Sequence, residues 1–141
     1  MSIRIESREN SLVKRLVRLS NDRKFRKEMQ EMVCEGEKML GEALSSGMDI
    51  HDILLAEDAE LDTALLRQAE GQGAKLYICP SSLLGKVSNV KTPQGVVFSC
   101  ERPVAELRVL QDAKRLMVLE GLQDPGNLGT IIRLADWFGI E

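Results

Sequence analysis

The chain has 141 residues, which suffices for one ordinary domain and part of a second. Its hydrophobic content of 43% is that of a globular protein, and no apolar run reaches the roughly 18 residues that cross a membrane. The charged N-terminus lacks the apolar core of a signal peptide, and the widely spaced Cys34, Cys79 and Cys100 form no CxxC pair. We therefore expect a cytoplasmic protein whose cysteines are small buried side chains, with neither a disulfide framework nor a metal site.

The net charge of −3 hides an asymmetry along the chain. Residues 1–30 contain nine Lys or Arg against four Asp or Glu, whereas residues 31–141 contain ten against eighteen. A basic segment on an otherwise acidic chain predicts a local contact with a polyanion.

The first predicted helix spans residues 11–19, with Asn10 or Ser11 as its cap. Its apolar residues fall on one side (Leu12, Val13, Leu16, Leu19), and basic residues face the other way. Further cations follow around a lone Phe25, which either stacks on an unpaired base or packs in the core. Because clustered cations neutralise phosphates, we predict an RNA-binding surface, the alternative being a solvated helix face. Its residues are Lys14, Arg15, Arg18, Arg23, Lys24, Arg26 and Lys27.

Beyond this segment, strands and helices alternate with short loops as far as residue 100. Strands are predicted at 31–36, 49–57, 74–80 and 96–101, and helices at 37–47, 61–73 and 81–88. This alternation predicts a three-layer α/β/α domain. Three smaller features are read mainly as structural: a Glu35-Gly36 turn with a capping carboxylate, the polar turn at Thr92, Gln94 and Gly95, and the lone histidine, His51. An RNA contact is the alternative for the two turns.

Residues 101–115 are polar and read as a linker with a short helix, with the domain boundary near residue 105. An apolar run at 116–119 predicts a buried strand, and a Pro-Gly-Asn turn leads into a helix that ends at Gly139. Asn127 is expected to cap that helix, and Ile131, Leu134, Ala135 and Phe138 to form its core stripe. One strand–turn–helix unit cannot bury both of its faces, so we expect that the chain has been cut inside a second domain.

Arg133 lies on this last helix, where a guanidinium could meet a phosphate or orient a hydroxyl group. A surface arginine on a packing helix is the alternative. The glycine spacing is not GxGxxG and there is no Walker lysine, which disfavours a small nucleotide-binding protein.

The sequence VLEGLQDPGNLGTIIRLADWFG resembles the first motif of the SpoU (TrmH) family of RNA ribose 2′-O-methyltransferases, in the SPOUT superfamily. Upstream, the Asn10-to-Lys14 helix, an Arg-rich loop, VCEGEKML and TPQGV resemble that family's N-terminal substrate-binding domain. The resemblance implies a ribosomal-protein-like α/β/α RNA-binding domain at residues 1–105. Residues 106–141 would be a linker and the first strand–turn–helix of an incomplete knotted SPOUT domain.

The resemblance also implies a function. Asn127 and Arg133 match the family's first-motif Asn and Arg, so they are the expected catalytic residues, Arg133 helping to activate the ribose hydroxyl. Leu134 stands where the family usually has Thr, from which we expect a packing change only. The full-length protein would use S-adenosylmethionine (AdoMet) and form a homodimer through its complete catalytic domain. Because the later motifs are absent, we expect no AdoMet pocket and no activity in this chain alone.

The resemblance favours 23S rRNA as substrate, with tRNA as the alternative. The competing function is a non-enzymatic RNA-binding module of the ribosomal-protein type, for which residues 1–100 would suffice. The apparent catalytic motif after residue 120 favours the enzyme.

Overall fold

The computed structural model describes residues 2–88, 90, 92–104 and 108–140. These fall into two compact units, Met1–Pro103 and Val104–Glu141. The elements of the first unit are β1 (Ile3–Arg4), α1 (Ser11–Asn21), α2 (Arg23–Met29), β2 (Glu31–Glu35), α3 (Glu37–Ser45), β3 (Ile50–Ala56), α4 (Thr63–Gly71), β4 (Lys75–Cys79), α5 (Ser81–Val87) and β5 (Val96–Glu101). The second unit contains α6 (Val109–Asp112) and α7 (Pro125–Trp137).

The first unit is built on a five-stranded mixed sheet in the order β1-β4-β3-β5-β2. Strands β1, β4 and β3 run parallel, while β5 is antiparallel to both β3 and β2. The strands predicted between residues 31 and 101 are confirmed. The sequence does not predict β1, a two-residue edge strand, or α2, which lies where an Arg-rich loop is expected.

Helices cover both faces of this sheet, because side chains alternate along its central strands. On one face α1 and α5 form a core cluster (Leu12, Val13, Leu16, Leu83, Leu84 and Val87 on Leu54, Ala56, Cys79 and Val97). On the other, α3 and α4 form a second cluster (Leu40, Ala43, Leu44 and Ala69 on Ile50, Ile53, Val96, Phe98 and Cys100). The predicted α/β/α layering is therefore confirmed, and all three cysteines are free thiols, with Cys79 and Cys100 buried and Cys34 half-buried.

The loop before β5 is held by the carboxylate of Glu35, which was expected to cap a helix. Instead, Glu35 accepts hydrogen bonds from Ser88 Oγ at 2.7 and 2.8 Å and from the Gln94 backbone N–H at 3.3 Å. Gly36 has φ +101°, and a Cβ there would collide with the Gln94 side chain. Glycine is favoured at this turn chiefly by its φ, since Gln94 Oε1 ends a flexible side chain that could move away.

In the second unit, residues 116–120 form no strand, so the prediction of a buried strand there is wrong. A strand needs a neighbour for its backbone hydrogen bonds, and the described part of this unit provides none. Met117 and Leu119 instead line a hollow of about 280 Å³ with Ile131 and Ala135 of α7. The expected stripe of α7 is only partly correct, since Leu134 and Phe138 remain 51% and 66% exposed.

Candidate nucleic-acid interface

Asp22 separates α1 from α2 and explains why the basic segment is helical. Its Oδ1 accepts a hydrogen bond from the Phe25 backbone N–H at 2.9 Å, which caps α2, while its own N–H completes the last turn of α1 by donating to Arg18 O. The Phe25 N–H is also the main reason why the pKa of Asp22 is lowered. At the other end, Gln30 adopts a left-handed conformation with φ 53° and ends the helix.

The cations of α2 line a cleft of about 730 Å³, here called the basic cleft. Among the described residues, those that line it are all positively charged: Arg23, Lys24, Arg26, Lys27 and Arg102. Five cations around one concavity raise the local potential and attract a polyanion. Among the described residues, Arg23 and Lys27 form no ion pair, so their charges are available to a ligand.

Arg102 was missed by the sequence reading. Antiparallel pairing of β2 with β5 sets Glu31 opposite Glu101, and the Arg102 N–H donates to Gln30 O at 2.7 Å. This long-range pairing puts Arg102 beside α2. No local sequence signal could have revealed it.

Arg26 and Lys24 are partly engaged within the protein. Arg26 Nη1 donates to the carbonyls of Leu19 at 2.7 Å and Ser20 at 3.0 Å, near the C-terminus of α1. This contact satisfies orphan helix carbonyls and fixes α2 against α1. Lys24 lies 3.7 Å from Glu28 one turn later, an exposed pair that contributes little to stability.

Lys14, Arg15 and Arg18 do not form one exposed cationic surface. The prediction that groups them is therefore corrected for Arg15. Arg15 is half-buried and turned into the protein, where its guanidinium contacts Asp52 and both carboxylate oxygens of Glu31, at 3.1 and 2.9 Å. Both carboxylates are largely buried, so Arg15 neutralises charges that would otherwise be costly. His51, expected to be structural, joins this cluster through a contact of Nδ1 with Glu31.

Lys14 and Arg18 are exposed, and each has a carboxylate beside it. Lys14 Nζ lies 2.6 Å from Glu9, whose pKa it lowers by a hydrogen bond and by its charge. Arg18 Nε lies 3.4 Å from Asp22, and its guanidinium stacks 4.0 Å from the centroid of the Phe25 ring. Phe25 is thus half-buried with one face covered, rather than a core residue or a fully open platform for a base.

The predicted catalytic residues both lie on α7, in the second unit. Asp124 caps this helix by accepting from the Gly126 N–H at 2.7 Å, and Pro125 occupies its first turn. The expectation that Asn127 is the cap is therefore wrong, and Asn127 lies inside the first turn. Arg133 is exposed and donates to Thr130 Oγ1 at 3.4 Å. At six residues apart, the two side chains project from different sides of the helix.

The residues described in the second unit do not fit an AdoMet pocket by themselves. Their hollow of about 280 Å³ is lined by apolar side chains, with Asp136 the one charged residue at its edge. A cofactor of that size needs a deeper cleft with several placed polar groups. Within the described residues, there is also no cluster of three or more His, Cys, Asp or Glu arranged for a metal, and no helix is long and apolar enough to span a membrane.

Residues 10–97 match the family described as the MRM3-like substrate binding domain. The chain belongs to this family. It is 31% identical to a 23S rRNA (guanosine(2553)-2′-O)-methyltransferase of Bacillus subtilis, over 97% of this chain and 52% of the relative. It is 34% identical to an uncharacterized tRNA/rRNA methyltransferase of Synechocystis, over 97% of this chain and 50% of the relative.

The crystal structure of an AdoMet-bound rRNA methyltransferase from Sinorhizobium meliloti is similar to this fold. It superposes with a TM-score of 0.79 at 27% identity, covering 97% of this chain and 51% of that one. The resemblance to the SpoU/TrmH methyltransferases is thereby confirmed. The chain spans about half the length of the relatives it matches.

Proposed function

We propose that this chain is the RNA-recognition part of an AdoMet-dependent RNA ribose 2′-O-methyltransferase that acts on 23S rRNA. The basic cleft is the observation that supports this most directly, because it lies in the unit that matches a substrate-binding family. Phosphates are the ligands that a concavity with five Arg and Lys side chains in its described lining binds best. Such contacts fix the position of an RNA without reading its sequence.

Within this proposal, Asn127 and Arg133 contribute to the methyltransferase centre. A ribose hydroxyl is a poor nucleophile, and a guanidinium near it or near the adjacent phosphate would favour its ionised form. Arg133 is suited to this task because it is exposed and makes one weak contact, to Thr130. AdoMet would supply the methyl group, bound by residues beyond those described in the second unit, and we expect no methyl transfer by this chain alone.

We also propose the partners and setting that such an enzyme requires. The enzyme would bind rRNA in the cytoplasm and would form a homodimer through its complete catalytic domain. tRNA is the alternative substrate, since the Synechocystis relative is named for both RNAs. A non-enzymatic RNA-binding module remains the competing function, because the first unit contains the whole basic cleft.

The test is a map of ribose methylation in cells without the gene that encodes this chain. We expect one 2′-O-methyl group to disappear from 23S rRNA, to return with the wild-type gene, and to stay absent with Arg133→Ala. Loss of a methyl group from tRNA would contradict the rRNA assignment. Unchanged ribose methylation in both RNAs would exclude the methyltransferase and favour the binding module.

A further inference from the structure

A second concavity lies along α1 and differs in character from the basic cleft. This groove, here called the α1 groove, has a volume of about 570 Å³. Val13 and Val17 form an apolar floor, with Val13 only 2% exposed. Around the floor stand four cations and three other polar residues: Arg8, Lys14, Arg18, Lys86, Glu9, Asn21 and Asp22.

We propose that the α1 groove holds an unpaired nucleotide of a single-stranded RNA segment. This inference rests on the proposed function and adds a recognition site to it. The half-buried Val17 at the floor can contact the face of a base, and cations at the rim neutralise the flanking phosphates. A double helix would make no use of the floor, since the faces of its bases are stacked inside and only phosphates, 2′-hydroxyls and base edges reach the protein.

The charges around the groove are complementary to a nucleotide. Both carboxylates are already engaged, Glu9 by Lys14 at 2.6 Å and Asp22 by the Phe25 N–H at 2.9 Å. Among the described residues Lys86 has no carboxylate partner, and Arg8 has only a 3.6 Å contact with Glu9. Arg8 and Lys86 are therefore the cations best able to bind phosphate, and the aliphatic stems of long basic side chains extend an apolar surface.

The position of the groove also agrees with an RNA strand that continues into the basic cleft. Asp22 lines the α1 groove, and the next residue, Arg23, lines the cleft. A stem could thus lie in the cleft while an adjoining unpaired nucleotide enters the groove.

The experiment compares two synthetic RNAs with equal numbers of phosphates, a stem–loop and a blunt duplex. The protein is the 141-residue chain carrying Arg8→Ala/Lys86→Ala, with Lys38→Ala/Arg67→Ala as control. The control removes the same charge from α3 and α4, on the opposite face of the sheet. We expect the groove variant to bind the stem–loop about tenfold more weakly than wild type. The salt slope, which is the slope of the logarithm of the association constant against the logarithm of the salt concentration, should be smaller by about 1.4. The variant should bind the duplex within about twofold of wild type.

A second measurement tests the base contact directly. A 4-thiouridine placed in the loop should crosslink to the α1 segment around Val13 and Val17 on irradiation. Equal losses for both RNAs, without this crosslink, would mean a backbone contact only and would overturn the proposal. Unchanged binding of both RNAs would also overturn it, leaving the groove to a protein partner. If the wild-type chain bound neither RNA, the proposed function itself would fail.

Discussion

Arg15 and Arg23 have the same side chain in neighbouring helices, but their surroundings differ. Arg15 joins two carboxylates that are largely buried, whereas Arg23 lines a cleft to which the described part of the chain contributes no carboxylate. The first arrangement stabilises the fold, because a buried carboxylate without a partner is costly. The second leaves a charge for a ligand. Residue type alone does not separate the two roles.

Substitution of these two arginines should therefore give opposite phenotypes. Arg15→Ala should lower the free energy of unfolding by about 3 kcal/mol, because Glu31 and Asp52 lose their partner. Arg23→Ala should change it by no more than about 0.5 kcal/mol, as for other surface sites, but should weaken RNA binding. Urea denaturation and RNA titration of both variants measure the difference. Equal stability of the two variants would refute the structural role of Arg15.

The Cys79 thiol makes stability depend on alkaline pH. Its burial raises its pKa from 9.0 to about 11. Between these values the thiol ionises in the unfolded chain but not in the folded one, so stability is intact below pH 9 and falls as pH rises toward 11. The slope from one proton is at most about 1.4 kcal/mol per pH unit.

Comparison of wild type with Cys79→Ala isolates this contribution, since the other titrating groups are common to both. The free energy of unfolding of the variant, measured by denaturation at several pH values, should fall less steeply between pH 9 and 11. Parallel curves would show that Cys79 does not ionise on unfolding in this range.

At the scale of elements, helix α2 depends on a single capping residue. Asp22 ends α1 and caps α2, and Arg26 ties the two helices together through the last carbonyls of α1. With no buried residue of its own, α2 has little hydrophobic stabilisation. Its stability therefore depends mainly on the Asp22 cap and on the Arg26 hydrogen bonds to α1. The shape of the basic cleft follows from them.

Asp22→Ala should lower the free energy of unfolding by about 1 kcal/mol, the usual cost of a lost N-cap. Asp22→Asn is the matched control. It removes the negative charge, as Asp22→Ala does, but asparagine caps a helix about as well as aspartate. Circular dichroism with chemical denaturation would measure both. Equal destabilisation of the two variants would assign the effect to the charge and not to the cap.

The elements that the sequence predicted correctly are those with a strong local pattern. The stripe of Leu12, Leu16 and Leu19 identifies α1 because apolar residues recur at helical spacing, and all three are buried. Helix α2 lacks such a stripe and was missed. The apolar run at 116–119 predicts a buried strand, but a strand also needs a neighbour to pair with.

The candidate site was predictable only in part, because its geometry depends on distant residues. The α2 cations could be read from composition. Arg102 could not, since it reaches α2 through the pairing of β2 with β5. Nor could the engagement of Arg15, whose partners lie 16 and 37 residues away in the chain. Asn127 is a favoured capping residue by type, but Asp124, which precedes the favoured first-turn Pro125, is the cap.

At the scale of the whole molecule, the two units differ in the surfaces they expose, and this difference agrees with the proposed function. The first unit is a closed three-layer domain with the basic cleft at its surface. In the second unit, Trp137 of α7 is 84% exposed and Val118, which precedes that helix in the chain, is 89% exposed. In the proposed enzyme, the complete catalytic domain would cover such apolar side chains.

The most direct test of the account is RNA affinity across a salt series for wild type and Arg23→Ala/Lys27→Ala. These two cations line the cleft and lack ion pairs among the described residues, so their loss should remove phosphate contacts and leave the fold intact. We predict weaker binding and a salt slope smaller by about 1.8, while the control Lys38→Ala/Arg67→Ala keeps the wild-type slope. Equal slopes for the cleft variant and wild type would contradict the assignment of the basic cleft to RNA.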